Sequence, residues 1–322
     1  MRKKVRKEVR SPIFLQPILQ ERIWGGEKLK RFNYEFTSDF IGECWGISAH
    51  PHGQSIVRNG KYKGFTLERL WNENRKLFGN YKKRKFPILV KILDANKDLS
   101  VQVHPNDEFA SLYENGELGK TEFWYVIDCK EGAEIVYGHH AQTKEQFIKM
   151  IEQGKWGELL HRIPIRPGDF FYVPSGTIHA LCEGTLILEI QQNSDTTYRL
   201  YDYDRVDSNG EKRELHLEKA ISVSNVPHKD FQLNIQQREE NGVKITTFVR
   251  GKYFSVYKWS IELKGSLLQD KVFQLASVIE GEGRMYTIEG EFPLRKGDHI
   301  ILPATLGKFI ITGNITLIVS HP

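Results

Sequence analysis

No stretch of this 322-residue sequence is apolar for the roughly 18 residues that a membrane helix needs, so it is not expected to span a bilayer. Cysteine is scarce: Cys44, Cys129 and Cys182 are three in number and none belongs to a C-x-x-C pair. That excludes a disulfide framework and a thiolate zinc ribbon, and it reads as reduced thiols in a cytoplasmic protein. Charge of one sign is also missing from the body of the chain. The net charge is +5, but residues 1–10 hold six Lys or Arg and one Glu, which leaves residues 11–322 neutral. A basic nucleic-acid-binding surface is therefore not expected. The basic start has no apolar core and is no secretory signal; residues 1–13 read as a solvated terminus. What remains is ordinary globular composition, 39% hydrophobic and 27% charged, in a chain longer than one core usually organises. Two domains are expected.

Short runs rich in Val, Ile and aromatics, punctuated by Gly and Pro, predict strands over 86–93, 100–103, 123–127, 169–173, 185–191 and 299–302. Helical spacing of Leu67, Leu70, Trp71 and Leu77 predicts a helix over 66–78. A capping box, Thr143-x-x-Gln146, opens another over 143–156. Many strands and few helices indicate a mainly β fold, a sandwich or barrel with helical insertions. The segment RPGDFFYVPS at 166–175 is echoed by RKGDHIILPA at 295–304, and Val126-Ile127 by Val278-Ile279. The repetition suggests duplicated domains, divided at about residue 225: 14–224 and 225–322.

Three segments carry metal-ligating types. In SVQVHPND, Gln102 and His104 fall on one strand face and Val101 and Val103 on the other. Lys120-Thr-Glu122 precedes a strand, and PSGTIH ends on His179. Two imidazoles, a carboxylate and an amide oxygen suit Zn²⁺ best, with Fe²⁺ or Mn²⁺ as alternatives. Each segment taken singly fits a surface or hydrogen-bonded core position equally well. In the second copy His179 becomes Lys308 and Glu122 becomes Gln274, so that copy reads as structural. The His139-His140 pair reads as a surface turn. A further cluster, from Glu189 through Arg199 to Arg205, puts a carboxylate and an arginine in an aromatic-rich loop. Such a loop suits a polyhydroxylated anion, and equally an ion-paired surface.

The segments SVQVHPND, GKTEFWYVI, VPSGTIHAL and LEIQQNSDTTYRLYDYDR, with FLQPILQERIWGG and GECWGISAH, resemble the short bacterial type I mannose-6-phosphate isomerases. These are zinc-dependent cupin enzymes. The resemblance runs from about Phe14 to the C-terminus and is most specific between Ser100 and Arg205. It implies two cupin-like jelly-roll sandwiches with helical insertions, the first catalytic and the second without metal ligands. It implies one Zn²⁺ per chain on His104, Glu122 and His179, with Gln102 able to complete the sphere. By the same resemblance Arg199 is the active-site arginine, and Lys120 and Glu189 line the pocket.

The expected reaction is interconversion of mannose 6-phosphate and fructose 6-phosphate by a cytoplasmic enzyme of carbohydrate metabolism. A proton moves between C1 and C2 through an enediolate, with Zn²⁺ as Lewis acid, Arg199 holding charge, and Glu189 or Lys120 as base. The expected partner is a small-molecule sugar phosphate, with no nucleic acid and no membrane. Oligomeric state is not legible. Another aldose substrate, or a sugar-phosphate sensor without turnover, are the other readings.

Overall fold

The structure is a computed structural model describing residues 8–32, 34–36, 38–206 and 209–322. Of the basic segment expected over 1–13, residues 1–7 lie outside the described residues. The chain is mainly β, as expected, and its packing divides it into two compact units. No helix among the described residues is long and apolar enough to cross a membrane.

The first unit comprises residues 19–44 and 89–233. Its six-stranded sheet runs in the order Phe170–Val173, Glu122–Cys129, Thr185–Gln192, Ile88–Ala95, Ile41–Ile47, Ile18–Gly26. The five-stranded sheet runs Leu160–Pro164, Glu134–His139, His179–Leu181, Val101–Val103, Tyr198–Tyr201. Alternation along the strands decides what lies between and behind the sheets. Trp24, Leu93, Trp124 and Val126 from one sheet meet Ile135, Tyr137 and Leu181 from the other in a common core. On the far face of the five-stranded sheet, Val101, Val103, Val136 and Ala180 are covered by Phe147, Ile151 and Ala220 of the helices Lys144–Glu152 and Leu217–Val223. The sandwich interior therefore receives Gln102 where the helix-covered face receives its valine neighbours.

Both expected helices are shorter than their spacing suggests. Leu67–Glu73 starts at Thr66, whose hydroxyl accepts from Arg69 N. It stops where Asn74 leaves helical geometry at φ −133°, and a short 3-10 turn, Arg75–Phe78, follows. Lys144–Glu152 is capped by Thr143, which accepts from Gln146 N, while Gln146 Oε1 accepts from Gln142 N at 2.7 Å. Gly154, at φ +63°, ends it before Trp156. His139 is not in a surface turn: it is buried at the end of Glu134–His139, where Nε2 lies 2.9 Å from Asn225 O.

The second unit comprises residues up to 18, 45–88 and 234–322. Its sheet orders Gln236–Glu240, Val243–Arg250, Ser255–Leu268, Lys308–His321, Phe273–Thr287, His299–Pro303, Ile13–Gln16 and Ile56–Val57. The alternate residues Ile315, Leu317 and Val319 pack with Trp259, Ile261, Val278, Ile300 and Leu302. This grouping differs from the linear division at 225, because Ile13–Gln16 hydrogen-bonds antiparallel to His299–Pro303, pairing Ile13 with Ile301.

The repeat noted in the sequence is repeated atom for atom. Arg166 N donates to Asp169 Oδ2 at 2.7 Å, and Arg295 N to Asp298 Oδ2 at 2.8 Å. Gly168 and Gly297 sit at φ +94° and +93°, a conformation that only glycine adopts without strain. Gly168 N donates to Val126 O and Gly297 N to Val278 O, at 2.8 and 2.9 Å. The following strands keep the register: Val173 stands opposite Glu122, and Leu302 opposite Gln274.

Candidate metal centre and active site

Glu122 opens the strand Glu122–Cys129, His179 opens His179–Leu181, and His104 follows Val101–Val103 directly. Three strand ends thus deliver three side chains that are 0–1% exposed. Their ligand atoms all lie within 4.8 Å of one another. His104 Nε2 is 3.1 Å from His179 Nε2 and 3.1 Å from Glu122 Oε1.

The second nitrogen of each ring settles which atoms face inward. His104 Nδ1 lies 2.9 Å from Thr196 O and His179 Nδ1 lies 2.8 Å from Thr177 O. A carbonyl can only accept, so each Nδ1 carries the proton and each Nε2 presents a lone pair. Burial, then the Lys120 charge, pushes His104 down to about 3, and burial lowers His179 as well, so both rings are neutral. Two lone pairs facing each other at 3.1 Å repel unless a cation lies between them. Glu122 Oε1, buried beside them, has the Lys120 ammonium 2.9 Å away as its charged neighbour. Two imidazole nitrogens and a carboxylate converging in this way form a donor set that can hold a divalent metal ion.

Gln102 sits between the two machineries. Its register partner is His179 on one side and Arg199 on the other. Gln102, Lys120, Glu189 and Arg199 all line one cavity of about 420 Å³ in this unit. Lys120 Nζ lies 2.9 Å from Glu122 Oε1 and 3.2 Å from His104 Nε2. Burial works against its charge, but Glu122, Glu189 and Asp195 outweigh that and hold the ammonium above the usual lysine range. Burial likewise opposes the Glu122 charge, yet the Lys120 ammonium keeps that carboxylate well below its usual range. Glu189 is the opposite case. Burial, then repulsion from Glu122, pushes its carboxyl up to about 7. Arg199 Nε is buried without a hydrogen-bond partner among the described residues, while Nη1 reaches only Glu214 O at 3.5 Å. Its donors are therefore available to the cavity. Asp107 stays outside: Oδ1 accepts from Gly119 N at 2.9 Å and Gln192 Nε2 at 2.8 Å, tying the Lys120 loop to its neighbour.

The cavity holds residues that were not singled out in the sequence. Trp124 Nε1 donates to both Glu122 Oε2 and Glu189 Oε2. Lys91, 3% exposed, lies 3.8 Å from Glu43 and 3.9 Å from Glu189 and Asp195. Arg22 grips Glu43 through Nε and Nη2 at 3.0 and 3.1 Å. A lysine within the apolar run PILVKIL was the available signal for Lys91; nothing in composition marked Trp124 or Arg22.

Two family profiles match the chain. Residues 13–136 match the type I phosphomannose isomerase catalytic domain, and 244–322 match the mannose-6-phosphate isomerase cupin domain. Mannose-6-phosphate isomerase ManA of Bacillus subtilis is 56% identical over 311 residues, 97% of this chain and 99% of the relative. The mannose-6-phosphate isomerase of Streptococcus mutans is 50% identical over 97% of this chain and 98% of its own. A crystal structure of the mannose 6-phosphate isomerase from Bacillus subtilis superposes with a TM-score of 0.95 at 55% identity, covering 97% of this chain and 100% of that one. Buried neutral imidazoles, a paired carboxylate and a near-complete match in sequence and fold agree: the chain belongs to the type I phosphomannose isomerases, a family of cupin enzymes.

Proposed function

We propose that the chain interconverts mannose 6-phosphate and fructose 6-phosphate through an enediolate, with one zinc ion per chain. The observation that carries this reading is the convergence of the His104 and His179 lone pairs on Glu122, directly behind Lys120 and Trp124 of a cavity that also presents Glu189 and Arg199. His104, Glu122 and His179 would hold the ion, with Gln102 beside them. Zinc bound there supplies a Lewis acid that stabilises negative charge developing on substrate oxygen.

The chain's own groups account for the proton. Moving it between C1 and C2 needs a group able to accept and return it near neutral pH. Glu189, pushed up to about 7 and fixed by the Trp124 N–H at 2.9 Å, meets that need and is assigned as the base. Lys120 is held protonated by three carboxylates, so it donates a hydrogen bond to developing oxyanion charge. Arg199 holds anionic charge without losing its own. The catalytic unit is thus the one built from 19–44 and 89–233. The second carries no metal, because Gln274 and Lys308 stand where Glu122 and His179 would. With three free cysteines, a cytoplasmic location suits the reading.

The test is a coupled assay of fructose 6-phosphate formation from mannose 6-phosphate, with chelator added and zinc then restored. Turnover lost with chelator and regained with zinc is expected. Faster turnover of a different aldose phosphate would move the substrate. Tight sugar-phosphate binding with no turnover would make the chain a sensor.

A further inference from the structure

The second unit has a cavity of its own, about 800 Å³, on the counterpart of the metal-bearing sandwich end. Gln274 lines it. This side chain is 5% exposed and makes no side-chain hydrogen bond among the described residues. It falls on the strand face shared by Ala276 and Val278, and its amide, which has no hydrogen-bond partner among the described residues, is open to the cavity it lines. A ligand offering hydroxyl groups could donate to and accept from this amide.

The rest of the wall has a definite character. Trp259 and Tyr257 contribute aromatic surface, and Tyr257 Oη lies 3.2 Å from His321 Nε2. Four cations line the cavity. Arg238 and Lys271 are paired with Glu240 and Asp270 at 3.2 and 3.1 Å. Arg250 and Lys308 have no carboxylate partner among the described residues. Positive charge is therefore left over among the lining residues, beside an accessible amide and two aromatic rings. Rings, amide and free cations together select a compact polyol bearing an anionic group.

We propose that this cavity is a second binding site, for a phosphorylated monosaccharide, in which Arg250 and Lys308 hold the phosphate and Gln274 and Trp259 take the sugar. It goes beyond the isomerase reading and does not depend on it. The position that supplies a metal carboxylate in the first unit supplies a neutral amide here, so the cavity holds an organic ligand without an ion.

The test uses the full-length chain labelled with 5-fluorotryptophan. Its six tryptophans are followed by ¹⁹F NMR, and the Trp259 signal is assigned with Trp259→Phe. Trp24 and Trp124 line the first cavity, so the two sites report through different signals and the isomerase reading can fail separately. Fructose 6-phosphate is expected to move the Trp259 signal saturably. Arg250→Ala with Lys308→Ala should weaken that response at least tenfold, with unchanged thermal unfolding and an unchanged Trp124 response. Inorganic phosphate and unphosphorylated fructose, as separate probes, should each bind at least tenfold more weakly than the sugar phosphate. A Trp259 signal that does not respond, or that responds equally in the double variant, overturns the site. Equal response to phosphate alone overturns the ligand class.

Discussion

Trp124 donates its indole N–H to Glu189 Oε2 at 2.9 Å, and the same hydrogen reaches Glu122 Oε2 at 3.0 Å. One neutral donor thus ties the candidate metal carboxylate to the candidate base. Because the indole has a single N–H, each carboxylate's position constrains the other. Trp124→Phe removes this link and keeps one aromatic ring at the position, though it also gives up part of the indole's buried packing. Losing a hydrogen bond to a charged group costs about 1.5–3 kcal/mol, so kcat should fall roughly 10- to 100-fold. Zinc content by elemental analysis should stay at the wild-type level. A wild-type kcat would show that the bridge does not position Glu189.

Metal content separates ligands from neighbours. Protein purified without added metal should contain about one zinc per chain. His104→Ala and His179→Ala should each lower both zinc content and activity, since two donors cannot hold the ion as three do. Full occupancy in both variants would disprove the ligand set. Lys308→His should add no second zinc, because Gln274, opposite Leu302, stands where Glu122 stands opposite Val173 and offers no carboxylate.

Arg199 tests charge against coordination. Its Nε has no partner among the described residues and its guanidinium lines the cavity, yet it is no metal ligand. Arg199→Ala should leave zinc and folding intact while kcat falls on the order of 10²-fold. An effect confined to KM would assign it to ground-state phosphate binding. Arg199→Lys should rescue little, because a point charge does not replace the planar fork.

A stability prediction comes from the second unit. His299 is fully buried, hydrogen-bonded through Nδ1 to Ser277 Oγ at 2.8 Å, and pushed down to about 3 by burial and then by Arg58. Above its unfolded pKa of about 6.5 the ring is neutral in both states and contributes no pH dependence. Between about 6.5 and 3 only the unfolded chain takes the proton, so stability falls with acidification by up to about 1.4 kcal/mol per pH unit. Urea unfolding from pH 7 to 4.5 should show a shallower acid slope in His299→Gln than in wild type. Parallel slopes would contradict a neutral buried imidazole.

Legibility followed locality. The Gly-Asp turns at 166–169 and 295–298 could be read because their chemistry is complete within four residues: a positive φ and a short carboxylate closing onto its own backbone. The residues His104, Glu122, His179, Glu189 and Arg199 stood in recognisable segments, and the fold brings all of them to one end of one sandwich. Lys91 was not legible, because a lysine in an apolar strand reads as an edge residue until three carboxylates are found around it. The Trp124 bridge depends on a donor direction that no periodicity encodes. His139 lies outside the expected surface turn because it is the buried last residue of the strand Glu134–His139, while the exposed His140 comes just after that strand ends. The interleaving of the two units rests on pairing between opposite ends of the chain, beyond the reach of any window.

That pairing also sets a timetable for biosynthesis. Ile13–Gln16 leaves the ribosome early, and its partner His299–Pro303 follows about 290 residues later. At roughly 5–20 residues per second, the first strand waits some tens of seconds with an open edge. An unpaired apolar edge is a template for pairing with other chains, and this one cannot be satisfied until residues 299–303 have been made. A nascent chain stalled before residue 299 is therefore left with one edge of Ile13–Gln16 open, the other being closed by Ile56–Val57, however completely residues 89–233 have folded.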